Sequence, residues 1–561
     1  MDSCENFLKF AAPINKHTNK HFMTNRKLSR REFLLSAAAG GMGLTILGCK
    51  REPDAPPPPV DSEAIVVGSG FGGAVSALRL GLKGVQTTLL ERGRRWELTA
   101  DYNTFSRGLN FDGRTMWFRD RVVLPFIPQG INFNVNRYPG VLEVVEFSNM
   151  KVYAGAGVGG GSLVYGGMTV MPREYEFNEI FGQTASYIEM APYYLRVKQM
   201  LNAVPFDQQP YFNLFRDSGY WEFTFRCAQD VATTRSINPT LDYQFIPQAY
   251  QWDVIYKELI GQIPKSALIG ELIFGNNSGA KNSLDLTYLR AAESTGKVSI
   301  HPFHRVDSIG RDSQKRYLVN VSVINENGEV VSTKTLRCRY LFLGAGSMGT
   351  SRLLLKAKHE GTLNELNDEI GKGWGSNGNG MFMRRDLPIP TGEKQATPPV
   401  IAVTDFDNPY GPVIAECAQY PLGFECNCLL YLGLGMHTKR GEYRYVPGAE
   451  NDGLILDWPD DGNEPARQSI IHLASQLNAA AGGAFDTEKF PEQVSKEFTY
   501  HPLGGAVMGK ATDPYGRVKN YDRLYVTDGA LIPGNTACSN PSWTIAAFAE
   551  RNLEHILEED F

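Results

Sequence analysis

Ala64-Ile-Val-Val-Gly-Ser-Gly-Phe-Gly-Gly73 decides the fold class of this 561-residue chain. An apolar run feeds straight into Gly68-x-Gly70-x-x-Gly73, and the residues from Ala74 to Leu82 are helix formers. A second apolar run, Gln86 to Leu90, ends in Glu91, 23 residues after Gly68. Strand, glycine turn, helix, strand and acid in that order make a Rossmann-type unit. The turn of Gly68, Gly70, Phe71, Gly72 and Gly73 lets the backbone approach a pyrophosphate at a helix amino terminus, and Glu91 is placed to accept hydrogen bonds from an adenosine ribose. The motif serves NAD and FAD alike.

Further glycine turns follow. Ala154-Gly-Ala-Gly-Val-Gly-Gly-Gly-Ser-Leu-Val-Tyr-Gly-Gly-Met168 permits close backbone approach to a second part of a large cofactor. Arg339 to Ser347 reads as a buried strand ending in a glycine turn, and Leu524-Tyr-Val-Thr-Asp-Gly529 delivers Asp528 to a strand end. After residue 540, Asn540 is a good N-cap, Pro541 a good first helical residue, and Trp543 to Leu557 repeats apolar residues at helical spacing. That helix start offers unpaired N–H groups and a positive dipole end to an anion. In Tyr500-His-Pro-Leu-Gly-Gly505, Pro502 holds the chain extended at His501 and the glycines suit a sharp bend. Read locally, His501 is a surface turn histidine, Asn540 a plain cap, and Glu416 in Pro412-Val-Ile-Ala-Glu-Cys417 an exposed residue of a half-buried strand, opposite Ala415.

Together these segments resemble the glucose-methanol-choline (GMC) flavoprotein family, and within it the bacterial cholesterol oxidases that hold FAD without a covalent bond. The resemblance runs from about Ile65 to the carboxyl terminus and includes Pro264-Lys-Ser-Ala-Leu268, Gly275-Asn-Asn277 and Gly373-Trp-Gly-Ser-Asn-Gly-Asn379. It implies an α/β fold, with a Rossmann-like FAD domain assembled from residues 62–174, 286–349 and 496–561. Residues 175–285 and 350–495, rich in aromatics, would form a substrate-binding α+β domain with a large antiparallel sheet. It adds Gly161, Tyr165, Gly166, Met168, Val306, Asp528 and Gly529 to the residues that hold FAD. It places His501 against the substrate hydroxyl and the Asn540 helix at the flavin pyrimidine. Glu416 becomes the base that moves a C4 proton to C6, a task that needs a carboxylate made more basic by an apolar pocket. The implied activity is sterol oxidation with O2 as acceptor and Δ-isomerisation. The alternative is a flavin alcohol dehydrogenase for another apolar alcohol that passes electrons to a membrane acceptor. Tyr165, where the resembled enzymes have asparagine, and Ser542, where they have phenylalanine, depart from the pattern, and Gly534 to Ser539 looks one residue longer.

Composition bounds the remaining classes. Charged residues make up 21% and apolar residues 42%, the balance of a globular chain. Seven basic residues stand against three acidic ones in positions 1–48, while the whole chain carries −5, so the body is acidic and unsuited to a nucleic-acid partner. A monomer is expected. The eight cysteines show no CxxC pair and no zinc spacing; Cys426-Asn-Cys428 is the one close pair and reads as ordinary strand cysteines.

The front end reads as an address. Ser29-Arg-Arg-Glu-Phe-Leu34 precedes an apolar run to Leu47 that is shorter than the roughly 20 residues a spanning helix needs. Residues 1–48 thus resemble a twin-arginine export signal, and Met23 opens a leader of more usual length. Ile46-Leu-Gly-Cys49 resembles a lipobox; cleavage nearby without a lipid is the other reading. Residues 49–61 form a linker in which Pro53-Asp-Ala-Pro-Pro-Pro-Pro59 is an extended spacer of about 3.1 Å per residue. The protein is expected outside the cytoplasm, with peripheral membrane contact through Cys49 if that residue is lipidated.

Overall fold

The computed structural model describes residues 62–125, 132–484 and 498–561. The paired arginines, Cys49 and the proline spacer lie outside the described residues. Among the described residues, no helix is long and apolar enough to cross a membrane.

The first strand, Ser62–Val67, pairs in parallel with Thr87–Leu90 on one side and with the end of Val330–Leu343 on the other. Val298–His301 extends the sheet beyond Thr87–Leu90, and Leu524–Val526 pairs in parallel with Leu341 to Leu343. Ala64 to Val67 and Thr87 to Leu90 are buried on both faces, as the continuous apolar runs of a covered parallel sheet require. The register matters for function. Val67 is level with Leu90 and Leu343, and Leu343 with Val526. The glycine turn, Glu91, Gly344 and Asp528 therefore leave the sheet at the same edge although Gly344 and Asp528 are far from the turn in sequence. This is the carboxyl-end crevice where doubly wound sheets bind ligands. The long strand then continues, through its earlier residues, into an antiparallel meander with Tyr317–Ile324 and His304–Arg311.

The glycine turn is packed to its limit. A Cβ on Gly72 would lie 1.9 Å from the carbonyl oxygen of Thr527, and one on Gly68 2.4 Å from that of Gly344. Gly72→Ala is therefore expected to force the helix Phe71–Lys83 off the sheet edge. The cost should be at least the ~1–3 kcal/mol of an overpacked site, seen as a lower melting temperature.

A second sheet is antiparallel, ordered Asn379–Arg384, Leu429–Gly435, Val413–Ala418, Ile401–Asp405 and Asp242–Phe245. Its alternation is clean. Val413, Ala415 and Cys417 face the helix Glu464–Ala481 through Ile470, Leu473 and Leu477, while Ile414 and Glu416 point the other way. The strand is nevertheless buried on both faces, which corrects the half-buried expectation for Glu416: the second face is covered by Met168, Val170, Ile246 and Cys538. The aromatics between residues 206 and 252 build a separate core from Phe206, Phe215, Trp221, Tyr250 and Trp252.

The terminal helix, Pro541–Glu559, is buried around most of its circumference because it lies against both Phe71–Lys83 and Tyr187–Met200. Its buried Glu550 is paired with Arg79 (2.6 Å) and accepts from Tyr288 (2.9 Å). This anchors the terminal helix whose start carries the buried Asn540.

Candidate active site

One cavity of about 870 Å3 joins the sheet edge to the inner face of the second sheet. Its walls include Gly68, Gly70, Phe71, Gly72, Glu91, Gly161, Tyr165, Gly166, Met168, Val306, Asp528 and Gly529, and also Glu416, His501 and Asn540. Of the residues expected at the site, Gly73 alone is not part of the wall. A Cβ there would lie 2.0 Å from the Gly68 carbonyl, so this glycine serves the packing of helix on strand.

The polar end is built by backbone. Ser69, the residue between the first two motif glycines, donates to Glu91 from its N–H (3.1 Å) and its hydroxyl (2.6 Å), and the Gly93 N–H donates to the other carboxylate oxygen (2.8 Å). Glu91 thus clamps the turn and keeps lone-pair directions for a ligand hydroxyl. Asp528 accepts from the N–H groups of Gly346 and Ala530 (both 2.8 Å) and from the Thr350 hydroxyl (2.5 Å). Burial still raises its carboxyl to about 6.

His501 is not a surface histidine. Its backbone N–H donates to Thr499 Oγ1 (2.8 Å), and Gly504 and Gly505 take φ values of +87° and +107° that turn the chain away behind it. Asn379 Nδ2 lies 2.9 Å from His501 Nδ1 and Asn377 Nδ2 3.4 Å from it. Both amides are oriented by backbone donors: the Tyr500 N–H donates to Asn379 Oδ1 (3.0 Å), and the Thr536 N–H to Asn377 Oδ1 (2.8 Å). Two NH2 groups therefore face Nδ1, which must accept, and the imidazole proton sits on Nε2. Desolvation lowers the His501 pKa to about 3, so the ring is neutral and offers a single N–H. Asn379→Ala is expected to cut turnover by about 10- to 100-fold through loss of this tautomer and orientation. Substrate binding should change little, so kcat should fall without a matching rise in KM.

Glu416 lies in the strand paired to Ala402 and Leu432, on an apolar wall with Leu430, Leu432 and Met381. Desolvation raises its carboxyl to about 7, against a hydrogen bond from the Asn540 side chain that lowers it. Its Oε1 has no partner, nor has Asn540 Oδ1. Asn540 occupies the N-cap position of the terminal helix, but its side chain does not cap; it turns into the cavity towards Glu416, which leaves the first N–H groups of the helix facing the same space. Asn377 and Asn379 are the functional residues that sequence reasoning left without a role. Their signal was present in the run Gly373 to Asn379, where two asparagines sit among glycines.

Comparison with known proteins bears on the same residues. The models described as "GMC oxidoreductase, C-terminal" and "GMC oxidoreductase" match residues 377–491 and 459–549, the segments that carry Asn377, Asn379, His501 and Asn540. Over these segments the chain is similar to the GMC oxidoreductases. It is 27% identical to a cholesterol oxidase of Mycobacterium tuberculosis (strain ATCC 25618 / H37Rv), across 88% of this chain and 90% of that protein. It is 24% identical to a cholesterol oxidase of Acinetobacter baumannii, across 88% and 94%. In fold it is similar to pyridoxine 4-oxidase from Mesorbium loti, with a TM-score of 0.59 and 14% identity over 88% of this chain and 99% of the other. A fungal aryl-alcohol oxidase gives a TM-score of 0.58 and 13% identity over 89% and 99%.

FAD is the cofactor, and the cavity fits it. Gly70 and Gly161 open onto free space, with nothing within 4 Å of where a Cβ would stand, while Gly160 abuts Gly70 so closely that a Cβ would sit 2.7 Å from its Cα. Two bare glycine backbones thus meet at one end, suited to a pyrophosphate. At the other end the helix start, Asn540 Oδ1 and the partnerless Ser542 Oγ await a hydrogen-bonding heterocycle. Tyr165 donates to the carbonyl of Asn282 (2.9 Å) and sets its ring edge-on to Phe71 at 5.8 Å. The buried Lys281 ties down this loop by donating to the carbonyls of Leu163 (2.7 Å), Tyr165 (3.2 Å) and Leu272 (2.5 Å).

Proposed function

We propose that this flavin oxidoreductase oxidises the 3β-hydroxyl of a sterol such as cholesterol, is reoxidised by O2 with release of hydrogen peroxide, and converts the 5-en-3-one to the 4-en-3-one. The observation that carries this reading is Glu416: a buried carboxylate with one oxygen unpartnered, on an apolar wall of the cavity that also holds His501. A desolvated carboxylate in that place suits proton transfer from carbon. The relatives named cholesterol oxidase support the substrate class.

When bound, FAD supplies a two-electron acceptor for the hydride leaving the carbinol carbon. His501, protonated on Nε2, donates to the substrate oxygen and fixes the hydroxyl, whose proton is released to solvent as the hydride leaves the carbon. The apolar wall excludes water from the reacting carbon. Asn540 holds Glu416 by one oxygen and leaves Oε1 free to take a C4 proton and return it to C6. A base near neutrality suits a reversible transfer from carbon.

The sign of the pH dependence follows. Glu416 works as the carboxylate, and its pKa is raised to about 7. Isomerisation of 5-en-3-one supplied directly should therefore fall about tenfold per pH unit below 7 and level off above it. The oxidation step should stay flat in that range on account of His501, which remains neutral.

The second reading, an alcohol dehydrogenase with a membrane acceptor, is favoured by Tyr165 and Ser542 on the cavity wall and by the lipobox-like Cys49. Export by the twin-arginine route fits a protein that takes up FAD before translocation and belongs to both readings. Turnover of cholesterol in air separates them: peroxide formed in step with enone supports the oxidase, while reduced enzyme that reoxidises only with an added quinone refutes it.

A further inference from the structure

Cys426 and Cys428 are not strand cysteines. They lie in the turn before Leu429–Gly435, with their sulfurs 2.8 Å apart, well inside a van der Waals contact. In an extended chain their side chains would stand about 7 Å apart. Asn427 between them takes a left-handed φ of +49°, which folds the two Cβ atoms together.

The turn is held by bonds that do not involve sulfur. The Asn427 N–H donates to Glu425 Oε1 (2.7 Å), its side chain donates to the Leu387 carbonyl (2.9 Å), and the Leu387 N–H donates back to the Asn427 carbonyl (3.0 Å). Glu425 in turn accepts from Thr391 and Gly392, and Gln395 donates to the Cys428 carbonyl (3.1 Å). The pair is thus pre-organised while reduced. Cys426 is partly exposed and Cys428 is buried. Two thiolates sharing a tetrahedral zinc would stand about 3.8 Å apart at 2.3 Å bonds, and among the described residues no group of three or more ligating side chains forms. The hydrogen bond with Cys428 lowers the Cys426 thiol, which favours thiolate on the more exposed sulfur.

We propose that Cys426 and Cys428 are a reversible redox dithiol, closed to an intramolecular disulfide by a hydroperoxide and reopened by a dithiol reductant. Cys426, its proton lost to solvent, attacks one peroxide oxygen; the O–O bond breaks, a sulfenic acid forms, and the leaving oxygen takes a proton. Cys428 then attacks the Cys426 sulfur, the S–S bond forms, and hydroxide leaves with the Cys428 proton as water. With hydrogen peroxide the sum is two thiols and one peroxide giving one disulfide and two waters, a two-electron oxidation. The inference is independent of the substrate assignment, since the oxidant can be supplied from outside.

The test uses the full FAD-loaded protein, reduced with dithiothreitol, desalted and exposed to a few equivalents of hydrogen peroxide. It is then alkylated with N-ethylmaleimide in denaturant and cut with chymotrypsin after Phe424. The peptide with Cys426 and Cys428 is expected to be two hydrogens lighter and free of label, and to regain both labels after a second reduction. In Cys428→Ser the bridge should vanish and Cys426 should be trapped as sulfenic acid by dimedone. Retention of both labels after peroxide, or a bridge to Cys417 instead, would overturn the proposal.

Discussion

Replacing Glu416 by glutamine is expected to separate the two halves of the reaction. Sterol oxidation should continue at a rate near that of the unaltered enzyme, because His501 and its two asparagines are untouched. The conjugated 4-en-3-one should appear about 10²- to 10⁴-fold more slowly, the usual worth of a positioned general base, and unconjugated 5-en-3-one should accumulate. The substitution keeps shape and the hydrogen bond from Asn540 but removes the only charge on that wall segment. It also has a stability signature. The Glu416 pKa is raised in the folded state, so the stability linked to its protonation is present below the unfolded value and is lost as pH rises through about 7. Glu416→Gln should therefore melt at a higher temperature than the unaltered enzyme above pH 7, with the gap closing in acid. Conjugated enone formed at the original rate would remove Glu416 from the isomerisation.

His501→Ala is expected to slow flavin reduction by about 10²- to 10⁴-fold, and the choice of tautomer makes the prediction sharper. If His501 acts by donating from Nε2, His501→Gln retains an N–H donor near the same place and should recover a substantial part of the lost rate. A histidine acting as a base at Nε2 would be replaced equally badly by alanine and glutamine. Rapid-mixing measurements of flavin bleaching on both variants decide between these outcomes, and an unchanged rate in His501→Ala would take the residue out of the mechanism.

Much of this architecture was legible in residues 64–91, because a parallel strand, a glycine turn that a Cβ would block, and an acid at the next strand end are each local features. The register that brings Gly344 and Asp528 to the same edge is also implied, since parallel strands align their carboxyl ends. Other parts were hidden for definite reasons. Alternation told which way Glu416 points but not what covers that face, and the cover includes Met168, Val170 and Cys538, far away in sequence. Asn540 had the sequence signature of a cap, yet its side chain is drawn to a buried carboxylate, a pairing no spacing rule encodes. The proton position on His501 depends on the Tyr500 and Thr536 N–H groups through Asn379 and Asn377, a network that exists only after folding. The Cys426 turn was misread as strand because a single left-handed residue, Asn427, reverses the expectation of extended chain.

The most direct test of the sterol assignment is anaerobic mixing of the FAD-loaded protein with cholesterol in detergent, with flavin absorbance and conjugated enone followed together. The account predicts complete flavin bleaching followed by enone equal to the flavin present, with enone formation alone lost in Glu416→Gln. Oxidised flavin that persists at saturating cholesterol would contradict it.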